Sequence, residues 1–248
     1  MAIATDLARA LDPVLLAEQA GLAPVTWQAS VLRSSASRLL LLASRQSGKS
    51  TVVAILATHT AVYQPGALVL ILSATLRQSS EMFKKCMATY GAIGRPVPPE
   101  SESALQLSLE NGSRIVSLPG KEGTIRGYSG VDLLAIDEAA WVPDDLYLAV
   151  RPMLAVSGGR LIALSTPHGT RGGFYQAWRG GEPWERYEVP APQCPRISQE
   201  FLEEERRNMG EWRFSAEYMC QFREAQTQPF GRADVEAAFR EEVEAWDL

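Results

Sequence analysis

Two short clusters carry side chains whose order suits phosphate chemistry. The first is Ser44-Arg45-Gln46-Ser47-Gly48-Lys49-Ser50-Thr51. A polar bend ending Gly-Lys-Ser can wrap phosphate oxygens in backbone N–H groups. Lys49 would neutralise the outer phosphates and the Ser50 hydroxyl would ligate Mg²⁺. The second cluster is Asp137-Glu138. Beside a phosphate-binding bend, the first acid can hold Mg²⁺ and the second can polarise the water that attacks a terminal phosphate. Adjacent carboxylates at the end of an apolar run are costly to bury unless they work or are paired.

Both clusters need rigid elements to aim them, and the flanking sequence supplies these. Leu39–Leu42 is an all-apolar run, fit for a strand buried on both faces of a parallel sheet. Val52, Val53, Ile55 and Leu56 after the bend give the apolar stripe of a helix over 50–63, stopped by Gln64-Pro65-Gly66. Strand, bend and helix in that order turn a helix N-terminus toward the phosphates. The pattern departs from the usual form in one place, since Ala43 stands where glycine is expected, and Arg45 adds a second cation inside the bend. Leu133–Ile136 is a further apolar strand running straight into Asp137-Glu138. Arg160–Leu164 is another, ending Ser165-Thr166-Pro167-His168-Gly169, whose hydroxyls can sense a γ-phosphate.

The remaining chain is read in order. Asp12-Pro13 divides residues 5–19 into two short helices. Thr26 is the expected N-cap of the next helix. Trp27-Gln28 just after it can stack on and hydrogen-bond an adenine, or can be core and solvated surface respectively. Ala67–Leu72 is a buried strand, followed by a helix of about 18 residues. That helix and its end carry Arg77, Lys84, Lys85 and Arg95 against one acid, Glu81, a face suited to a nucleic-acid backbone or simply to solvent. Residues 91–99 read as a Pro/Gly-rich loop. Leu105, Leu107 and Leu109, then Asn111-Gly112, then Ile115 and Val116 read as a β-hairpin. The stretch Gly120–Gly130 is a glycine-dense, partly basic loop that meets a ligand or merely connects. A helix is expected over 171–179, a short edge strand at Val189, an acidic helical pair over 198–224, a linker from Gln226 to Gly231 and a last helix over 233–246.

The chain has 248 residues and a net charge of −5. Residues 198–248 hold 13 acids and 6 Arg or Lys, so residues 1–197 carry a balance of +2. The acidity belongs to the C-terminal segment, and the phosphate-binding body permits a polyanionic partner. Cys86, Cys194 and Cys220 lack metal-ligand spacing and read as reduced thiols of a cytosolic protein. No apolar run is long enough to span a membrane, and a cleavable leader is not expected from the first residues.

The ordered set Ser-Arg-Gln-Ser-Gly-Lys-Ser-Thr (44–51), Ile-Arg-Gly (125–127), Asp-Glu (137–138) and Ser-Thr-Pro-His-Gly (165–169) resembles the large terminase subunit of tailed bacteriophages, in its N-terminal ATPase domain. The resemblance covers about residues 20–230. It implies an α/β fold with a mostly parallel central sheet and helices on both faces, a P-loop NTPase of the additional-strand, catalytic-glutamate type. It implies ATP and Mg²⁺ as cofactors and a motor that hydrolyses ATP to drive double-stranded DNA into a procapsid. The implied partners are the portal protein and the small terminase subunit. The implied assembly is a homo-oligomeric ring, a pentamer on the procapsid and a monomer in isolation, without a membrane. The implied location is the host cytoplasm and, transiently, the portal vertex.

Family roles map onto matching positions. Ser44, Gln46, Ser47, Gly48, Lys49, Ser50 and Thr51 would bind the nucleotide phosphates, with Trp27 and Gln28 on the adenine side. Ser50 and Asp137 would hold the metal, and Glu138 would activate water. Arg45 would act in cis on the γ-phosphate, and Arg126 would be offered to a neighbouring subunit. Ser165, Thr166 and Pro167 would couple hydrolysis to movement, and Arg77, Lys84, Lys85 and Lys121 are DNA candidates. Residues 1–228 would form the ATPase domain and 229–248 a linker and helix toward a nuclease domain expected to be missing, so that no DNA cleavage is expected. Two other readings stand beside this one. A helicase-like or other P-loop DNA translocase would separate strands or need tandem motor domains. A nucleotide-dependent assembly module would bind ATP without releasing phosphate.

Overall fold

A computed structural model describes residues 2–120, 125 and 127–224. Ten residues of helix α1 (Ala2–Leu11) and seven of α2 (Pro13–Gln19) open the chain. They meet where the sequence places Asp12-Pro13, and the Asp12 carboxylate accepts the Val14 N–H at 3.0 Å to cap α2. Helix α3 follows (Thr26–Arg33). Thr26 does not cap it, contrary to the sequence expectation. Thr26 is its first helical residue, and the Gln28 side chain folds back so that Oε1 accepts the Val25 N–H at 3.1 Å.

Strand β1 (Arg38–Ala43) leads into the phosphate-loop residues and helix α4 (Lys49–Tyr63). Then come β2 (Leu68–Ser73) and α5 (Leu76–Ala92), the latter closed at its start by Thr75 and Gln78 in a reciprocal capping box. The hairpin is β4 (Gln106–Leu109) and β5 (Arg114–Pro119), and a further strand β3 (Pro99–Glu102) pairs on its outer edge. That strand begins where the Pro/Gly-rich loop was expected to end. Next are β6 (Leu133–Asp137), α6 (Asp144–Val150), β7 (Arg160–Ser165), α7 (Gly173–Arg179) and the edge strand β8 (Glu185–Val189). Helix α6 has no counterpart in the sequence reading. Helix α8 (Gln199–Glu217) is broken at Gly210, whose φ of 77° is not helical, so the expected acidic pair is present but ends at residue 217.

The sheet runs β3-β4-β5-β2-β6-β7-β1-β8. Its six strands from β5 to β8 are mutually parallel, and β4 is antiparallel to β5. Strand β7 lies between β1 and β6, so the strand bearing the acid pair is one position removed from the strand bearing the phosphate loop. Alternation along the strands divides the core. Leu39, Leu41, Val69, Ile71, Leu133 and Ala135 face α2, α3, α4 and α5, whereas Leu40, Leu42, Leu70, Leu72, Leu134 and Ile136 face α6 and α7. Burial on both faces explains why these strands are continuous apolar runs. The parallel strands all end on one edge, and both chemical clusters emerge there.

Candidate nucleotide-binding site

The loop at 44–48 is held from behind by the C-terminal part of the chain. Ser44 N–H donates to Val189 O at 3.0 Å, and Arg45 N–H donates to Glu217 O at 3.0 Å. Ser47 Oγ donates back to Ser44 O at 2.9 Å. Two residues adopt left-handed backbone, Gln46 with φ 57° and Gly48 with φ 97°. Gly48 answers to a second constraint. A Cβ there would stand 2.8 Å from both Gln28 Nε2 and Arg196 Nη2. Glycine adopts this backbone without strain, and a side chain here would also displace the ends of Gln28 and Arg196.

Lys49 opens α4 with its side chain almost entirely buried, and its Nζ lies 3.2 Å from Glu138 Oε1. Glu138 itself sits in left-handed backbone, φ 50°, immediately after β6. Its other carboxylate oxygen accepts the Ser165 hydroxyl at 3.3 Å, and Ser165 Oγ in turn accepts the Ala140 N–H at 3.2 Å. The neighbouring Asp137 carboxylate accepts the Glu138 N–H at 3.1 Å. Burial first, and then the Glu138 charge, push the Asp137 carboxyl up to about 6 against the opposing pull of Lys49. Lys49, Asp137, Glu138 and Ser165 therefore converge, as their positions in sequence require.

A cavity of about 300 Å³ adjoins the loop, lined by Trp27, Gln28, Ser47, Thr51, Cys194 and Arg196 among others. Trp27 both packs against the core and lines this cavity, and its indole N–H is buried without a partner among the described residues. Gln28 spends its oxygen on the α3 cap, which leaves its Nε2 against Gly48 and the cavity. Arg196, whose Nη2 donates to Ser47 O at 3.3 Å, was not singled out from sequence. It lies in the Pro-rich segment after β8, where nothing in spacing or periodicity marks it.

The other expected site residues are placed as follows. Arg45 does not point at the Lys49–Glu138 pair. Its Nε lies 2.6 Å from Glu217 Oε2 at the end of α8. Thr166 is buried, and Pro167 lines a second cavity of about 430 Å³ together with Arg45, Trp141, His168 and Glu217. His168 stacks on Trp141 with ring centroids 3.5 Å apart. Arg77, Lys84 and Lys85 are exposed on α5, Lys84 paired with Glu81 at 2.8 Å. Arg126, Lys121 and the expected helix over 233–246 lie outside the described residues. All three cysteines are free and buried, and burial pushes the thiols of Cys86 and Cys220 up to about 12.

A parallel sheet with an added strand between the phosphate-loop strand and the acid-bearing strand, and a buried lysine facing a glutamate across it, defines an additional-strand P-loop NTPase. Comparison with known proteins narrows the class. Residues 40–239 match the family described as "Terminase large subunit, T4likevirus-type, N-terminal", and the chain belongs to that family. It is 29% identical over 188 residues to the terminase large subunits of Thermus phage G20c and Thermus virus P23-45. Each of those matches covers 66% of this chain and 38% of the relative. In fold it is similar to the Thermus phage P74-26 large terminase ATPase domain, with a TM-score of 0.74, 22% identity, and coverage of 84% of this chain and 97% of that one. It is also similar to the large terminase of thermophilic bacteriophage D6E in complex with ADP, with a TM-score of 0.66, 13% identity, and coverage of 79% and 53%.

Proposed function

We propose that this chain hydrolyses ATP as the motor domain of a phage DNA-packaging terminase. The observation that carries the proposal is the 3.2 Å pair between Lys49 Nζ and Glu138 Oε1. Without nucleotide, the phosphate-binding cation and the general base neutralise each other. A triphosphate seated at the N-terminus of α4 competes for Lys49 and leaves Glu138 to accept a proton from water, with Ser165 holding its second oxygen. Catalysis of this kind is positioning and charge neutralisation. The cavity beside Trp27 would take the adenine ring, with Gln28 Nε2 as the donor to a ring acceptor.

Mg²⁺ fits the donor set. Asp137 is a buried carboxylate that only the Glu138 N–H hydrogen-bonds among the described residues, and Ser50 is the second residue of α4. These two residues would hold the ion, which when bound supplies charge to the phosphate oxygens.

The family and the relatives support a role in moving double-stranded DNA into a procapsid, with a portal protein and a small subunit as partners and a ring as the working assembly. Arg126 of one subunit reaching a neighbour's nucleotide belongs to that reading, as do Arg77, Lys84, Lys85 and Lys121 as DNA contacts. The test is Glu138→Gln in the full chain, followed by ATP binding and phosphate release. Retained binding with turnover down about 10²-fold or more agrees with a general base. Wild-type turnover in that variant removes Glu138 from the mechanism, and with it the reading.

A further inference from the structure

Ser73 closes β2 with its side chain fully buried and its hydroxyl without a hydrogen-bond partner among the described residues. Other buried serine hydroxyls of this protein are bonded, Ser113 to Ala61 O and Ser117 to Ser79 O. An unmet buried hydroxyl is unfavourable, and it signals a partner supplied in another state.

Geometry restricts that partner. Val69 and Ile71 face the α4 side of the sheet, so Ser73, two residues on, continues that face. Its lateral neighbours in register are Pro119 on β5 and Asp137 on β6. Leu133 and Ala135 also face α4, so Asp137 projects on the same side as Ser73. Proline offers no side-chain acceptor, and the Ser73 carbonyl is already taken by the Gly120 N–H at 2.7 Å. The hydroxyl is sealed from solvent, so water does not satisfy it. Adjacent strands lie about 4.8 Å apart, within the sweep of one rotation of an aspartate side chain.

We propose that Ser73 is a positioning residue for the metal site. When cation and nucleotide bind, the Asp137 carboxylate turns and accepts the Ser73 hydroxyl, which fixes the oxygen that faces the cation. The inference rests on the reading of Asp137 as a metal-holding residue. It adds a residue from a strand to which no chemistry was assigned, and it gives a reason for a serine at a sealed position.

The experiment measures binding of a non-hydrolysable ATP analogue to the full chain, in chelator and in Mg²⁺, for wild type, Ser73→Ala and Ser73→Thr. Unfolding without ligand is followed in parallel. Ser73→Ala is expected to unfold no more easily than wild type, to bind like wild type in chelator, and to lose about tenfold of the Mg²⁺-dependent gain. Ser73→Thr, which keeps the hydroxyl, is expected to recover most of that gain. If Ser73→Ala does not fold, Ser73→Cys takes its place, because a thiol is a weaker donor of similar volume. An undiminished Mg²⁺ gain in the variant that folds overturns the inference, as does an equal loss in chelator and in Mg²⁺. Absence of any Mg²⁺ gain in wild type overturns it too, and places the fault in the metal reading instead.

Discussion

The hydroxyl of Ser165 at the end of β7 donates to Glu138 Oε2 at 3.3 Å, while the other oxygen of Glu138 faces Lys49 Nζ at 3.2 Å. One carboxylate is thus held from both sides, by the last residue of β7 and by the phosphate-loop lysine. Strand β7 lies between β1 and β6 in the sheet, so the added strand is what brings Ser165 to the glutamate. Removing the hydroxyl in Ser165→Ala leaves the lysine contact intact and frees the carboxylate to rotate. Turnover is expected to fall about tenfold, the worth of one hydrogen bond to a partly exposed charged group. Nucleotide affinity is expected to stay within twofold or so of wild type. Steady-state kinetics beside equilibrium binding checks this, and an unchanged kcat discards the positioning role.

Gly48→Ala tests the loop. The residue sits at φ 97°, and a Cβ would press on Gln28 Nε2 and Arg196 Nη2 at 2.8 Å. Left-handed backbone costs a non-glycine residue about 1–2 kcal/mol, before either side chain is displaced. Because both displaced groups line the cavity beside the loop, the variant is expected to lose nucleotide affinity by more than the stability loss alone implies. Chemical unfolding and ligand titration on the same preparation separate the two effects. A variant with wild-type affinity shows that Gln28 and Arg196 are not part of the nucleotide site.

The parts of this site that could be read from sequence are those where burial leaves a strong pattern. Leu39–Leu42 and Leu133–Ile136 are apolar on both faces because the sheet is covered on both faces, so strand, bend and helix stood out together. The hairpin at Asn111-Gly112 was legible because Gly112 supplies the positive φ that such a turn needs. Edge strand β8 was legible only at Val189, its one buried residue, because Glu185, Arg186 and Glu188 are charged and partly or fully exposed. Arg196 and Glu217 left no trace, since each reaches the loop through tertiary packing across about 150 residues or more of chain. The Thr26 assignment fails because the helix begins one residue earlier, with Val25 at the N-cap and its N–H taken by Gln28 Oε1.

His59 sets an expected pH dependence of stability. It lies on α4 against α1, with Nε2 2.9 Å from Arg9 O, and burial holds its pKa below the usual 6.5 despite the backbone contacts and Asp12 nearby. The unfolded chain therefore binds the proton at a higher pH than the folded one. Stability is unaffected well above 6.5 and falls as pH drops through 6.5 toward the depressed folded value. The Asp12 carboxyl, held below its ordinary range by Arg33, acts in the same direction but at lower pH. His59→Gln, which cannot charge, is expected to flatten the change in unfolding free energy between about pH 7.5 and about pH 5.5. An equally steep profile in the variant assigns the dependence elsewhere, His168 being the other histidine with a lowered pKa.

The Arg45–Glu217 pair joins the phosphate loop to the end of α8, at 2.6 Å between side chains and 3.0 Å between Arg45 N–H and Glu217 O. The Arg45 side chain is 63% exposed, so the ion pair itself contributes at most about 1 kcal/mol. Its effect on ligand binding is expected to exceed its effect on stability. In the ligand-free arrangement Glu217 competes with any phosphate for the guanidinium, and a nucleotide must first break that contact to recruit Arg45. Glu217→Gln keeps the backbone bond and removes the competing charge. Unfolding is expected to change by less than about 1 kcal/mol, while affinity for ATP rises by a few-fold and affinity for ADP, which lacks the γ-phosphate, changes less. Calorimetric titration with both nucleotides distinguishes these. A parallel rise for ADP places Arg45 on the inner phosphates, and no rise for either shows that Arg45 stays with α8 and takes no part in gripping the nucleotide.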